Sequence, residues 1–175
     1  MQVENADTKN RILSLEVGSR DLGFAALETP AHLLEYGRRK HRVKTDELPD
    51  VVGRKISALL ALHLPDIIAV RSRSVRTANA QRRIALILSV LRREARRRSI
   101  EFQTISRKAV RQFFARYQCT SKHQIATLVV RWFPELSWKL PPKRKAWKSE
   151  DHRMVIFDAM ATALTFLNRS PPATQ

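Results

Sequence analysis

The stretch RILSLEVGSRDLGFAALE, from Arg11 to Glu28, decides the fold. Residues 11–17 are apolar with almost no alternation, the pattern of a strand covered on both faces. Gly18 and Gly23 bracket a turn, and Leu22 to Glu28 reads as a second strand. Near the end of the first strand stands one carboxylate, Glu16. A second, Asp158, interrupts another apolar segment, MVIFDAMATAL, far along the chain. An acid taken out of water costs several kcal/mol unless its charge is compensated. Two such acids on a very basic chain point to one site where a metal ion meets a phosphate.

Working outward, Thr29-Pro30 breaks the second strand and HLLEYG (His32 to Gly37) reads as a third. Three short strands with short links imply an antiparallel meander. Val52, Ile56, Leu59, Leu60 and His63 share one helical face, and Pro65 stops that helix. DIIAV (Asp66 to Val70) reads as a fourth strand, and the arginine-rich residues 71–80 as a loop. A helix over roughly 80–98 buries Ile84, Ile87, Leu88, Leu91 and Ala95, and IEFQTI (Ile100 to Ile105) is a fifth strand. Ser106 caps a helix carrying Val110, Phe113, Phe114 and Tyr117. Ser121 and Gln124 form a capping box for the next helix, which Pro134 ends. Residues 135–148 are a basic loop, and Ser149 caps a last helix running to about Leu167. The reading is one domain over 11–167, with a flexible lead at 1–10 and a disordered tail at 168–175. Strands alternating with helices after a meander mean an α/β protein with a mixed sheet flanked by helices.

Lysine plus arginine number 33 against 16 acids, a net charge of +17 and a pI near 11.3. Such a surplus calls for a polyanionic partner, nucleic acid first. Arg71 to Arg116 alone holds 14 basic residues and two acids. Arginine dominates there, and its planar fork suits phosphate better than lysine does. We expect phosphate contacts from Arg71, Arg73, Arg76, Arg82, Arg83, Arg92, Arg93, Arg96 and Arg97, and from Lys143, Arg144 and Lys145 in the later loop. Trp138 and Trp147 in that loop either stack bases or pack on the core. No apolar run spans a bilayer, and the polar start MQVENADTKN does not read as a signal peptide. The lone Cys119 allows no internal disulfide and fits a cytoplasmic protein. The sequence carries no zinc-ligand cluster, phosphate-binding glycine loop or Ser-His-Asp pattern.

The element order, with LEVGSRDLGFAALE, HLLEYG, DIIAV and FDAMATAL in their places, resembles the RNase H-like fold, and within it the RuvC-type Holliday-junction resolvases. The resemblance implies a five-stranded mixed sheet, three antiparallel strands followed by parallel ones. It also implies a nuclease that cuts structured, branched DNA, acting as a homodimer. In that family four acids hold two divalent cations, Mg²⁺ or Mn²⁺, that activate water against a phosphodiester.

Carried onto this chain, the resemblance makes Glu16 and Asp158 the metal ligands and catalytic acids, with Asp151 or Glu150 assisting. The pattern departs in three places. Glu16 stands where the family has aspartate, Arg71 where it has a glutamate ligand, and Val155 where the last helix offers its first acid. A guanidinium at position 71 repels Mg²⁺ and pairs readily with Glu16 or Asp158. Two readings therefore stand: a metal-dependent endonuclease, or an RNase H-fold nucleic-acid-binding protein whose metal position Arg71 has taken. Asp151 also has a simpler reading, as a charge complementing the start of the last helix.

Overall fold

The computed structural model describes residues 10–29, 32–145, 147 and 149–167. The expected tail at 168–175, and the expected lead apart from Asn10, lie outside the described residues. Strands β1 (Arg11–Val17), β2 (Asp21–Glu28) and β3 (His32–Lys40) form the antiparallel meander. Helix α1 (Leu48–His63) leads to β4 (Ile67–Ser72), and α2 (Ala78–Arg97) leads to β5 (Glu101–Thr104). Three helices follow: α3 (Arg107–Ala115), α4 (Lys122–Trp132) and α5 (Met154–Leu167). The sheet order is β3-β2-β1-β4-β5, with β4 parallel to both β1 and β5. This is the mixed five-stranded sheet expected from the sequence.

Strand alternation sorts the side chains between two layers. Leu13, Leu15 and Val17 of β1, with Ile68 and Val70 of β4, pack under α1 and α2. Ala25 and Leu27 of β2 pack instead under α3, α4 and α5. Ser14 faces the same way and donates to the Ala159 carbonyl of α5 at 2.8 Å. Glu16, two residues on, shares that face. The buried strand β1 is thus apolar towards one layer and carries its polar atoms towards α5.

The helix limits follow local chemistry. The α1 helix ends at Leu64, which adopts a left-handed conformation (φ 46°) just before Pro65. Thr77 caps α2 and Ser106 caps α3 through their hydroxyls. The Ser121–Gln124 capping box is present at α4. Two expectations need correction. Residues 71–80 are not all loop, since Arg71 and Ser72 extend β4. The last helix starts at Met154 rather than after Ser149, because Asp151 turns the chain there and accepts from the Arg153 amide at 2.8 Å. The basic loop also contains a 3₁₀ turn over Pro134–Lys139. No described helix is long and apolar enough to cross a membrane.

Helix α5 sits close on the sheet at Gly23, where β2 offers no side chain beneath it. A Cβ built on Gly23 would lie 2.3 Å from the Val155 carbonyl oxygen, backbone that cannot swing aside. Gly23 is also the residue paired with Glu16 across β1 and β2. Gly23→Ala is therefore expected to lift α5 at the level of the site. The expected loss is about 1–3 kcal/mol of stability, read as a fall of several degrees in melting temperature.

Candidate functional site

The β1–β4 register places Glu16 and Arg71 side by side on adjacent parallel strands. Their side chains meet on the α5 face, where Arg71 Nε donates to Glu16 Oε2 at 2.8 Å. Asp158 comes down from α5 onto the same guanidinium, its Oδ1 2.9 Å from Arg71 Nη2. The three side chains are only 2%, 8% and 8% exposed, so the ions are held away from bulk water. Lys122, at the first turn of α4, extends the array. Its Nζ lies 2.8 Å from Asp158 Oδ2 and 2.9 Å from Glu150 Oε1. The order in space is Glu16, Arg71, Asp158, Lys122, Glu150, alternating in sign.

Burial sets the protonation chemistry. Desolvation pushes the Glu16 carboxyl up to about 7, against the lowering pull of Arg71, and the Asp158 charge adds to the rise. Burial opposes the charge on Arg71 too, but Glu16 and Asp158 outweigh it and raise its pKa. The guanidinium is the fixed charge of this cluster and Glu16 is its titrating member.

Glu16 and Asp158 are thus brought together from opposite ends of the chain, though not around an ion. The carboxylate oxygens that would face a divalent cation are taken by Arg71, and Lys122 takes the remaining oxygen of Asp158. No group of three His, Cys, Asp or Glu among the described residues is arranged to hold a metal. As they stand, these residues do not fit Mg²⁺ or Mn²⁺. Asp151 is not part of the array. Arg153 closes on it with two side-chain hydrogen bonds, of 2.8 and 3.0 Å, which hold its carboxyl down to about 2.

The arginines expected on phosphate divide into groups. Arg71 is spent on the acids. Arg83 is buried and donates to the carbonyls of Ser19, His41 and Val43 and to the Thr45 hydroxyl, which makes it an internal tie for a loop. Arg73 is half-buried over Gly18 and pairs with Asp21. Arg76 and Arg82 are exposed, one before α2 and one in its first two turns, at the same end of the sheet as Arg71. Arg92, Arg93, Arg96 and Arg97 are exposed too, but α2 carries them back towards the other end of β4. There Arg93 and Arg97 gather about the buried Glu94.

Lys143, Arg144 and Lys145 line a cleft of about 1010 Å³ together with Arg107, Lys122 and His123. A smaller cavity of about 150 Å³ lies beside it, reaches Arg71 and Asp158, and shares Arg107, Lys122 and Met154 with it. Sequence reasoning missed Lys122 and Arg107. Neither has a local signal, because both matter through packing of α3 and α4 against α5.

No protein-family model matches this sequence, and no curated protein matches it. Solved structures do. Thermus thermophilus RuvC, solved alone and in complex with a Holliday junction substrate, superposes with a TM-score of 0.67 at 17% identity, over 91% of this chain and 95% of that one. The yeast mitochondrial Holliday junction resolvase Ydc2 superposes with a TM-score of 0.71 at 13% identity, over 91% of this chain and 78% of that one. The chain has the RNase H-like fold in its RuvC-type form.

Glu16 gives the site a pH signature. Its pKa is about 7 when folded and near 4.5 ordinarily, so between these values the native state holds the extra proton. Its contribution to stability is full below about 4.5 and is lost as pH rises through about 7. Urea unfolding of wild type and Glu16→Gln should therefore show wild type losing ground to the variant across that window, by about 1.4 kcal/mol per pH unit. A difference that does not change with pH would contradict the assignment.

Proposed function

We propose that this chain is a nucleic-acid-binding protein of RuvC-type fold that grips structured, branched DNA and does not cut it. The observation that carries the reading is the Arg71 guanidinium, bonded to both Glu16 and Asp158 where a nuclease of this fold would hold cations. Water then has no metal to activate it. The fold and the charge support a DNA binder all the same. The net charge is +17, and the cleft beside the ion array is walled by exposed Lys143, Arg144 and Lys145. The preference for branched DNA rests on the likeness to Thermus thermophilus RuvC, which was solved with a Holliday junction substrate. The same reading expects a cytoplasmic protein that sits on a two-fold junction as a homodimer.

A second reading, a metal-dependent endonuclease, is favoured by one feature. Glu16, Asp158 and Glu150 are strung together through Arg71 and Lys122, so withdrawal of both cations would leave three acids on one line. One experiment separates the two. The purified chain is incubated with a labelled four-way junction, and with duplex of matched length, in millimolar Mg²⁺ or Mn²⁺. The first reading expects salt-sensitive binding that favours the junction, no cleavage products, and a melting temperature unmoved by either ion. Replacing Lys143, Arg144 and Lys145 by Gln should flatten the dependence of log affinity on log salt by about 2–3. Metal-dependent cuts would establish the second reading instead, and failure to bind any DNA would overturn both.

A further inference from the structure

We propose that the hollow beside Trp138 receives one unpaired nucleobase, stacked on the indole, from nucleic acid lying in the basic cleft. This rests on the nucleic-acid reading above and adds which part of the partner is recognised.

Trp138 is 66% exposed, a large apolar ring left in water. Its orientation is nevertheless fixed. Its Nε1 donates to the Tyr36 hydroxyl on edge strand β3 at 3.0 Å, and that hydroxyl donates to the Glu135 carbonyl at 3.2 Å. The one polar atom of the indole is therefore used internally, and what remains for a ligand is the π face. Lys139 Nζ stands over one face of the ring, 3.8 Å from its centroid, which leaves the opposite face for a ligand and adds a cation to the site. A rigid aromatic face with a cation beside it is a platform for a flat, electron-rich ring attached to a phosphate.

The space fits a base. The hollow holds about 520 Å³ between Tyr36, Trp138 and Ile156, with Lys40 and Lys139 at its rim. Arg38 and Arg153 also line it, but each is bonded to an acid, Asp21 and Asp151. Lys40 and Lys139 have no acid partner among the described residues, so the rim keeps positive charge for a phosphate.

Position is the second argument. His152 lines both this hollow and the large basic cleft, and Lys122 lines both that cleft and the cavity at Arg71. Ion array, basic cleft and indole are consecutive stations on one surface. A strand following the cations of the cleft arrives at Trp138. Bases inside a duplex have both faces covered by their neighbours, so the indole takes a base that has left the stack, which an unpaired base does at least cost. Branch points, gaps and strand ends supply such bases.

The test compares two DNAs that differ by one base. Both are the same gapped junction, one with thymine at the unpaired position and one with an abasic sugar there. Affinities are read by fluorescence anisotropy. Wild type is expected to bind the thymine form about tenfold more tightly. Trp138→Ala should remove that preference while retaining affinity for the abasic form, and Trp138→Phe should keep most of it. Equal wild-type affinity for the two DNAs would overturn the base-stacking site while leaving the binding function intact, and that comparison needs no variant to fold. Preference surviving in Trp138→Ala would overturn it as well. Wild type binding neither DNA would overturn the function reading and this site with it.

Discussion

The guanidinium of Arg71 lies between two carboxylates from distant parts of the chain, and the architecture near it is arranged so that all three can meet. The parallel β1–β4 register sets Glu16 beside Arg71. The missing side chain at Gly23 lets α5 come down on β2 at that level, and the Ser14–Ala159 hydrogen bond pins the helix there. Asp158 then reaches the far side of the guanidinium. Ions this deeply buried each cost several kcal/mol to strip of water, and mutual attraction offsets that only when the geometry is good. The cluster is therefore weak grounds for extra stability over an apolar core. Its weak point is Arg71, whose removal takes from Glu16 the cation bonded to it and leaves a buried acid uncompensated, at about 3–5 kcal/mol.

That arrangement separates two properties that a nuclease needs together. Holding a polyanion requires exposed cations, and the cleft walled by Lys143, Arg144 and Lys145 supplies them. Hydrolysing a phosphodiester through metal-activated water requires carboxylates open to an ion, and here each buried acid is already engaged by a protein cation. The fold brings acids to the end of the cleft and holds a tethered cation, Arg71, between them. The charge of that guanidinium is spent on the two acids, so attraction for phosphate at this end of the molecule rests on the exposed cations of the cleft.

Much of this was legible in the sequence. The strand-turn-strand at 11–28 and the capping box at Ser121 rest on local patterns that the structure reproduces, while the meeting of Glu16 and Asp158, both now seen on Arg71, was inferred from two acids in apolar segments and from the family resemblance. The pairing of Arg71 with both acids was one of two open readings, because the residue follows a short apolar strand and sequence alone does not say whether that strand runs one residue further. What stayed hidden depends on packing between helices. Lys122 joins the array only because α4 lies against α5, and it is Lys122 that brings in Glu150, which the sequence offered as the alternative to Asp151. Arg83 looked like one more phosphate contact, yet it is bonded to carbonyls of two loops, Ser19 between β1 and β2 and His41 and Val43 after β3. Asp151 looked available until Arg153, two residues on, closed over it.

Diffraction shows most directly what occupies the space between Glu16 and Asp158. Crystals grown or soaked in millimolar Mn²⁺, measured at the manganese absorption edge, should show no anomalous peak between the two carboxylates, with the Arg71 side chain bridging them. An anomalous peak bound by Glu16 and Asp158, with Arg71 turned out to solvent, would contradict the account.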